Sequence, residues 1–340
     1  MSNDHIAYAM NNEAAVNSLV YFNAPSDLLS ATHLGIEFIL LVGIVLSIKH
    51  AFGFDKLKGG NEARLTLLNC FLYGLMMDIL SYYTVENFWH GEFTVMFLYN
   101  RLPLYIALFY PSFMYHAIMT IKRYDFTPVK EAICIGFFAG LMYLIFDNTG
   151  PILGWWIWDR NDATTLPYIS SVPLTSYHWF FTFTIAFSFI NRWVLSLNGQ
   201  KGKQIAAIIA QPTLTILLGS LIFIPYNLFG KGMPPYDMLP WDKSLSLATM
   251  VHVLSFSAAG WLFLINWRKP KYERDTLLMV FPFLYLVGHV YFNIYAYDKN
   301  FASDSLGMVN EFAAGNLVAV IIATVLSATI LLLTHTRTSD

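Results

Sequence analysis

Apolar positions dominate this chain in nine long runs, at approximately residues 29–48, 65–84, 101–121, 131–149, 172–195, 205–226, 245–267, 276–296 and 312–334. A membrane-spanning helix needs roughly 20 mostly apolar residues, because hydrocarbon offers no partner to an open backbone. The pattern predicts an all-α, polytopic membrane bundle of about nine transmembrane helices. It forms one helical domain over residues 29–336, behind a polar lead-in at 1–28. No soluble domain or low-complexity linker interrupts the runs. The lead-in has no Lys or Arg and no apolar core before a small-residue cleavage site, so it does not read as a signal peptide. A short helix is expected near "NNEAAVNSLVYF".

Basic residues orient the bundle. With the N-terminus outside, the inner segments carry Lys49, Lys56, Lys58, Arg64, Lys122, Arg123, Lys130, Arg192, Lys201, Lys203, Arg268, Lys269, Lys271, Arg274 and Arg337. The outer segments carry only Arg101, Arg160, Lys231, Lys243 and Lys299. Fifteen of the 20 basic residues on one side give an N-out, C-in topology by the positive-inside rule. The cytoplasmic membrane of a bacterium is the expected location.

Composition agrees. Of 340 residues, 56% are hydrophobic and 12% charged, against roughly 25% charged in soluble proteins. A net charge of −2 leaves no basic face for a nucleic-acid partner. Cys70 and Cys134 both lie inside apolar runs and read as buried, inert thiols.

The orientation places many polar residues in the outer halves of the predicted helices: His33, Glu37, Asp78, Glu86, Asp147, His178, His252, His289, Asn293 and Asn316. His116 lies deeper. Ionisable side chains at membrane depth are costly and normally face a bundle interior, a partner or water. So many at one level predict a polar pocket open to the outer side, although Glu86, Asp147 and His178 also suit the headgroup level.

Two segments share an order of features. In "MMDILSYYTVENFWHGEFTVMFLYNRLPLYIALFY" an apolar helix ends at Glu86, an aromatic loop follows, and Pro103 opens the next helix. In "MYLIFDNTGPILGWWIWDRNDATTLPYISSVPLTSYHWFF" the helix ends at Asp147, a Gly/Trp loop follows, and Pro173 opens the next. Proline suits a helix start, where its missing N–H has no partner to lose. The carboxylate-to-proline spacings are 17 and 26 residues, so the two read as related outer hairpins, each bringing one carboxylate.

These hairpins, over about residues 75–185, resemble the membrane-embedded carotenoid-biosynthesis proteins, a group that includes the carotenoid hydratases of the bacterioruberin pathway. They are similar in style to membrane-bound lycopene and terpenoid cyclases. The shared features are an acid at a helix end, a Gly/Trp loop and a (V/L)-P-L helix start. The chain has Asp147-Asn148 where that pattern has Asp-Pro, and "PLTSYHWF" lacks the pattern's Asn and Gly.

The resemblance implies a membrane enzyme that hydrates or cyclises an isoprenoid or carotenoid-like lipid. Such chemistry begins by protonating a C=C bond, which needs a carboxylic acid held in an apolar site. The resulting cation needs aromatic walls, which stabilise positive charge without reacting. Asp147 or Asp78 is then the expected proton donor, Glu86 a second carboxylate and His178 a base or water-positioner. Trp89, Trp155, Trp156, Trp158, Trp179 and Tyr82 are the expected substrate contacts. The tryptophans equally suit an interfacial anchoring belt. Without a P-loop or GxSxG elbow, the chemistry is expected to be cofactor-free.

Two other readings compete. His33 and Glu37 share a helix face at i,i+4, and with the outward His90, His178, His252 and His289 they offer imidazole and carboxylate to a transition metal, His33, Glu37, His252 and His289 foremost. No HxxH or ExxH pair accompanies them. Prolines at 212, 225, 234 and 235 suggest broken spans, as in a transporter or non-catalytic subunit. Gly136 and Gly140 mark close helix packing.

Overall fold

The computed structural model describes residues 13–28, 30–159, 162, 165, 168–169, 172–228, 241–267, 275–301, 308–309, 312–313 and 315–335. Residues 1–12 of the lead-in, together with Arg160, Lys231, Pro234, Pro235, Arg268, Lys269, Lys271, Arg274 and Arg337, lie outside the described residues.

Each predicted span is a helix: α1 Ala31–Lys58, α2 Glu62–Val85, α3 Leu104–Lys122, α4 Pro128–Ile152, α5 Leu174–Ser196, α6 Lys201–Asn227, α7 Trp241–Asn266, α8 Thr276–Tyr295 and α9 Leu317–His335. Among the described residues eight helices are long and apolar enough to cross a membrane. The protein is a multi-pass helical membrane protein. The remaining helix, α5, is 23 residues long. Its buried Ser176, His178, Thr182, Thr184, Ser188 and Asn191 make it the more polar member of the set.

Local chemistry sets the helix ends. Ser30 caps α1 by accepting from the Thr32 amide at 3.2 Å, and Gly59 closes that helix with a left-handed φ of 70°. The Asp55 carboxylate accepts the amides of Ala63 (2.8 Å) and Arg64 (3.0 Å), so the end of α1 caps the start of α2. Asp275 caps α8 through the Leu277 amide at 2.9 Å. Two spans change pitch. α2 finishes in a π-helical turn, Ser81–Val85, and α3 carries another at Tyr110–Met114. Pro111 lies in the second, where its missing N–H disrupts the regular i→i−4 ladder.

α3 and α4 are the most buried spans. Gly136 meets Ile185 of α5, and Gly140 meets Phe256 of α7, so the small-residue pair admits two different neighbours. At the inner ends Lys122 pairs with Glu62, Arg192 with Glu131 at 2.8 Å, and Lys130 donates to Asn266 at 2.7 Å.

The outer side carries short strands that the apolar runs did not predict. β1 (Val20–Phe22) pairs with β3 (Val95–Phe97), which pairs with β4 (Leu102–Pro103). The lead-in is therefore built into the outer cap after a single helical turn at Glu13–Val16. β2 (Phe88–His90) pairs antiparallel with β5 (Trp156–Trp158), joining the two related hairpins directly. Two-residue ladders follow, β6 (Tyr168–Ile169) with β7 (Val172–Pro173) and β8 (Met308–Val309) with β9 (Phe312–Ala313).

Candidate functional site

A cavity of about 200 Å³ lies between the outer halves of α2, α3, α4 and α5, under the β2–β5 ladder. Each helix presents one face to it. α2 contributes Asp78, Ser81, Tyr82 and Val85; α3 Ile106, Phe109 and Tyr110; α4 Tyr143, Phe146 and Asp147; α5 Thr175, Ser176 and Trp179. The spacings in α2, α3 and α4 are i, i+3, i+4 or i+7, and in α5 Thr175 and Ser176 lie four and three residues before Trp179, which stacks side chains along one helix face. Both π-helical turns help line it, the one in α2 through Ser81, Tyr82 and Val85 and the one in α3 through Tyr110. Asn87, Phe88, His90, Trp156 and Trp158 form the roof.

The walls are a nearly continuous set of rings. Phe109 stacks on Phe146 at 4.7 Å between centroids, and Phe146 meets Trp156 at 5.0 Å. Across the roof Phe88 meets Trp158 at 5.1 Å and Tyr82 at 5.4 Å. Tyr143 is held from behind by Phe180, stacked at 3.9 Å.

Two carboxyl groups enter this apolar space. Asp147 is fully buried. Ser176 lies near enough to influence it, yet neither carboxylate oxygen completes a hydrogen bond of normal geometry. Ser176 is instead bonded to the Tyr143 hydroxyl at 3.0 Å. One oxygen of Asp78 is likewise buried and unpaired. Buried polar groups normally find partners; these two acids stand at the cavity wall with covered oxygens that lack one.

The roof holds a third polar element. The His90 imidazole lies between two phenols: Nε2 is 2.6 Å from the Tyr82 hydroxyl and Nδ1 is 2.9 Å from that of Tyr105. Burial pushes its pKa down to about 3, so the ring is neutral near pH 7. Nδ1 also faces the Trp155 carbonyl at 3.3 Å, which only accepts. That contact puts the single ring proton on Nδ1, and Nε2 then accepts from Tyr82. His90 and Tyr82 also line a small outer pocket with Trp89, Tyr99, Asn100 and Arg101.

Six expected site residues meet at the cavity: Asp78, Asp147, Tyr82, Trp156, Trp158 and Trp179. Four do not. Glu86 sits at a left-handed φ of 49° with a mostly exposed side chain, 3.8 Å from Arg101. His178 is buried against His252, Nδ1 to Nδ1 at 3.1 Å, and stacks on Tyr226. Trp89 lines the outer pocket. Trp155 is a core residue, fully buried, with its indole N–H directed to Thr32 at 3.3 Å.

The residues offered for a metal are also separated by their partners. Glu37 accepts from the Thr94 amide (3.2 Å) and hydroxyl (2.7 Å). His33 packs on Phe93, while His289 bonds the Tyr285 carbonyl at 2.8 Å and lies edge-on to Trp155. Among the described residues no three His, Cys, Asp or Glu side chains gather in one place.

His90, Tyr143, Phe109 and Phe146 belong to the cavity but were not expected there from sequence. The helix-face spacings mark Tyr143 and Phe146 beside Asp147, whereas His90 is placed by the strand pairing alone.

Residues 23–199, just over half of the chain, match the protein-family model described as a domain of unknown function, DUF7802. The chain belongs to this family. No curated protein and no solved structure matches it. Every described residue that lines the cavity falls within the DUF7802 segment, and α6–α9 lie beyond it. The region that defines DUF7802 membership is thus the region that builds the cavity.

Proposed function

We propose that the protein is a membrane enzyme that protonates a C=C bond of an isoprenoid-like lipid, leading to hydration or cyclisation. The observation that carries this reading is the meeting of Asp78 and Asp147 in one cavity whose other walls are mostly aromatic. Apolar cavities of about 150 Å³ hold a benzene ring. A cavity of about 200 Å³ therefore takes the branched or cyclic end of a chain, not a whole carotenoid.

In the proposed step the Asp147 carboxylic acid gives its proton to one alkene carbon. The π pair forms the new C–H bond, leaving a carbocation on the other carbon and a carboxylate on Asp147. Ring faces of Phe146, Trp156 and Tyr143 stabilise the cation without reacting with it. Loss of a proton to Asp78 or back to Asp147 gives a rearranged or cyclised alkene; addition of water followed by proton loss gives an alcohol.

The test is solvent deuterium. Purified protein in D2O, given a panel of prenyl and geranyl lipids, is expected to place deuterium on carbon in at least one of them. Asp147→Asn is expected to stop the incorporation. Protein that is folded and yet exchanges no carbon-bound hydrogen with any member of the panel would sink the proposal.

A further inference from the structure

Among the described residues the cavity holds two carboxyl groups and no matching cation. Neither Lys nor Arg is among its lining residues, and its basic residue, His90, is engaged by Tyr82 and Tyr105. Two outer cations among the described residues are engaged elsewhere. Arg101 lies 3.8 Å from Glu86, and Lys299 donates to the Ile152 carbonyl at 2.9 Å. Asp147 nevertheless stands at the cavity wall with two fully buried oxygens that complete no hydrogen bond of normal geometry. An ionised carboxyl in such surroundings is stable only beside a positive partner.

The walls suggest which partner. Ring faces attract large, weakly hydrated cations, as aromatic cages do for ammonium ions. Hard metal cations require six or more oxygen ligands, and here most of the lining is carbon. Val85, exposed at the cavity's edge, and the partly exposed Thr175 and Trp179 lie where α2 and α5 face the outer half of the membrane. A ligand arriving there comes from the lipid phase and needs an apolar chain.

We infer that the cavity binds an organic monocation, the tertiary or quaternary ammonium head of a single-chain amphiphile, with its charge set against Asp147 and Asp78 and its methyl groups against the surrounding rings. The inference rests on the reading of this cavity as a lipid site, though not on any turnover there. It also connects with that reading. A carbocation beside a newly ionised Asp147 and an ammonium beside the same carboxylate share one charge arrangement, and the second is stable enough to isolate.

The experiment compares three twelve-carbon probes on the full-length protein in dodecyl maltoside micelles: dodecyltrimethylammonium, dodecanol and dodecyl sulfate. Calorimetry and quenching of tryptophan fluorescence read the binding, since Trp156, Trp158 and Trp179 line the cavity. The ammonium is expected to bind at one site, at least about ten-fold more tightly than either other probe. The double variant Asp78→Asn/Asp147→Asn is expected to lose that preference while its dodecanol affinity stays unchanged. If the variant does not fold, the wild-type head-group series decides alone. Dodecanol or dodecyl sulfate binding as tightly as the ammonium overturns the inference. If lipid deuteration is still seen in that event, the acid-catalysis reading stands without it. Selective ammonium binding with no deuteration leaves a cation site and removes the catalytic reading.

Discussion

The indole of Trp158 and the ring of Phe88 lie opposite each other on the β2–β5 ladder, 5.1 Å apart, and close the roof of the cavity. This contact ties together two loops separated by about seventy residues. Cross-strand aromatic pairs contribute about 0.5–1.5 kcal/mol beyond their burial. A double-mutant cycle with Phe88→Leu and Trp158→Leu is therefore expected to show a coupling of about 1 kcal/mol in denaturant melts of the detergent-solubilised protein. Additive effects would show that the roof is not held by this pair.

The helices were legible in the sequence because about 20 apolar residues between polar turns have one structural meaning in a membrane. Asp78 and Asp147 were legible for a related reason: a carboxylate at that depth has to face something other than lipid. Glu86 misled because it lies just past the end of α2, where a left-handed turn lets it reach solvent and Arg101. Hydropathy cannot separate a residue in the last turn from one beyond it. His178 and Trp155 misled through azimuth. The rotation of about 100° between neighbouring helix residues places His178 against His252, away from the cavity, while Trp155 points into the core and its neighbour Trp156 points at the site. The β2–β5 pairing has no local signature in three-residue segments, so His90 could not be placed before the structure.

Gly150 gives a second prediction. A Cβ at this position would collide with the indole of Trp156. Gly150→Ala is expected to push Trp156 into or away from the cavity and cost about 1–3 kcal/mol of stability, as overpacking usually does. Tryptophan fluorescence should shift with it. An unchanged spectrum and melt would mean that the α4 end and the roof can separate freely.

His90 sets a pH dependence. Its folded-state value, about 3, lies below the free value of 6.5, so the folded chain binds fewer protons between those limits. The unfolded chain takes up its proton first as pH falls, and stability declines from about pH 6.5 towards about 3; above that window the contribution is constant. The maximum slope from one group is about 1.4 kcal/mol per pH unit. His90→Gln is expected to flatten the acid limb of the stability profile relative to wild type. Parallel profiles for the two proteins between about pH 6 and pH 4 would refute the assignment of a neutral, buried His90.

At the inner face Asp275 acts in the opposite sense. Burial alone raises its carboxyl, but the His50 imidazole at 3.1 Å and the amides of Leu277 and Leu278 outweigh burial and hold it below the usual range. A depressed acid stabilises above its unfolded value and loses that contribution as pH falls through the folded value. Asp275→Ala removes the α8 cap and is expected to cost about 1 kcal/mol near neutral pH. The cost should shrink as the pH falls below the ordinary carboxylate range, once the wild-type carboxyl is itself protonated. A constant cost across that range would assign the effect to packing.

Asp147 separates stability from function most clearly. A fully buried carboxyl with two unpaired oxygens costs the fold the desolvation of those atoms, about 1–3 kcal/mol for an unsatisfied group. Asp147→Leu replaces it with an apolar side chain of similar size in an apolar wall, and is expected to raise stability by a comparable amount. The same variant should abolish both carbon deuteration and ammonium selectivity. Asp147→Asn keeps the shape and the hydrogen-bonding capacity, so its stability should stay within about 1 kcal/mol of wild type while function is lost equally. A structural role predicts the reverse order, with Leu damaging and Asn mild in every assay. Melting curves and probe binding on the two variants, measured side by side, distinguish these outcomes without knowledge of the natural ligand.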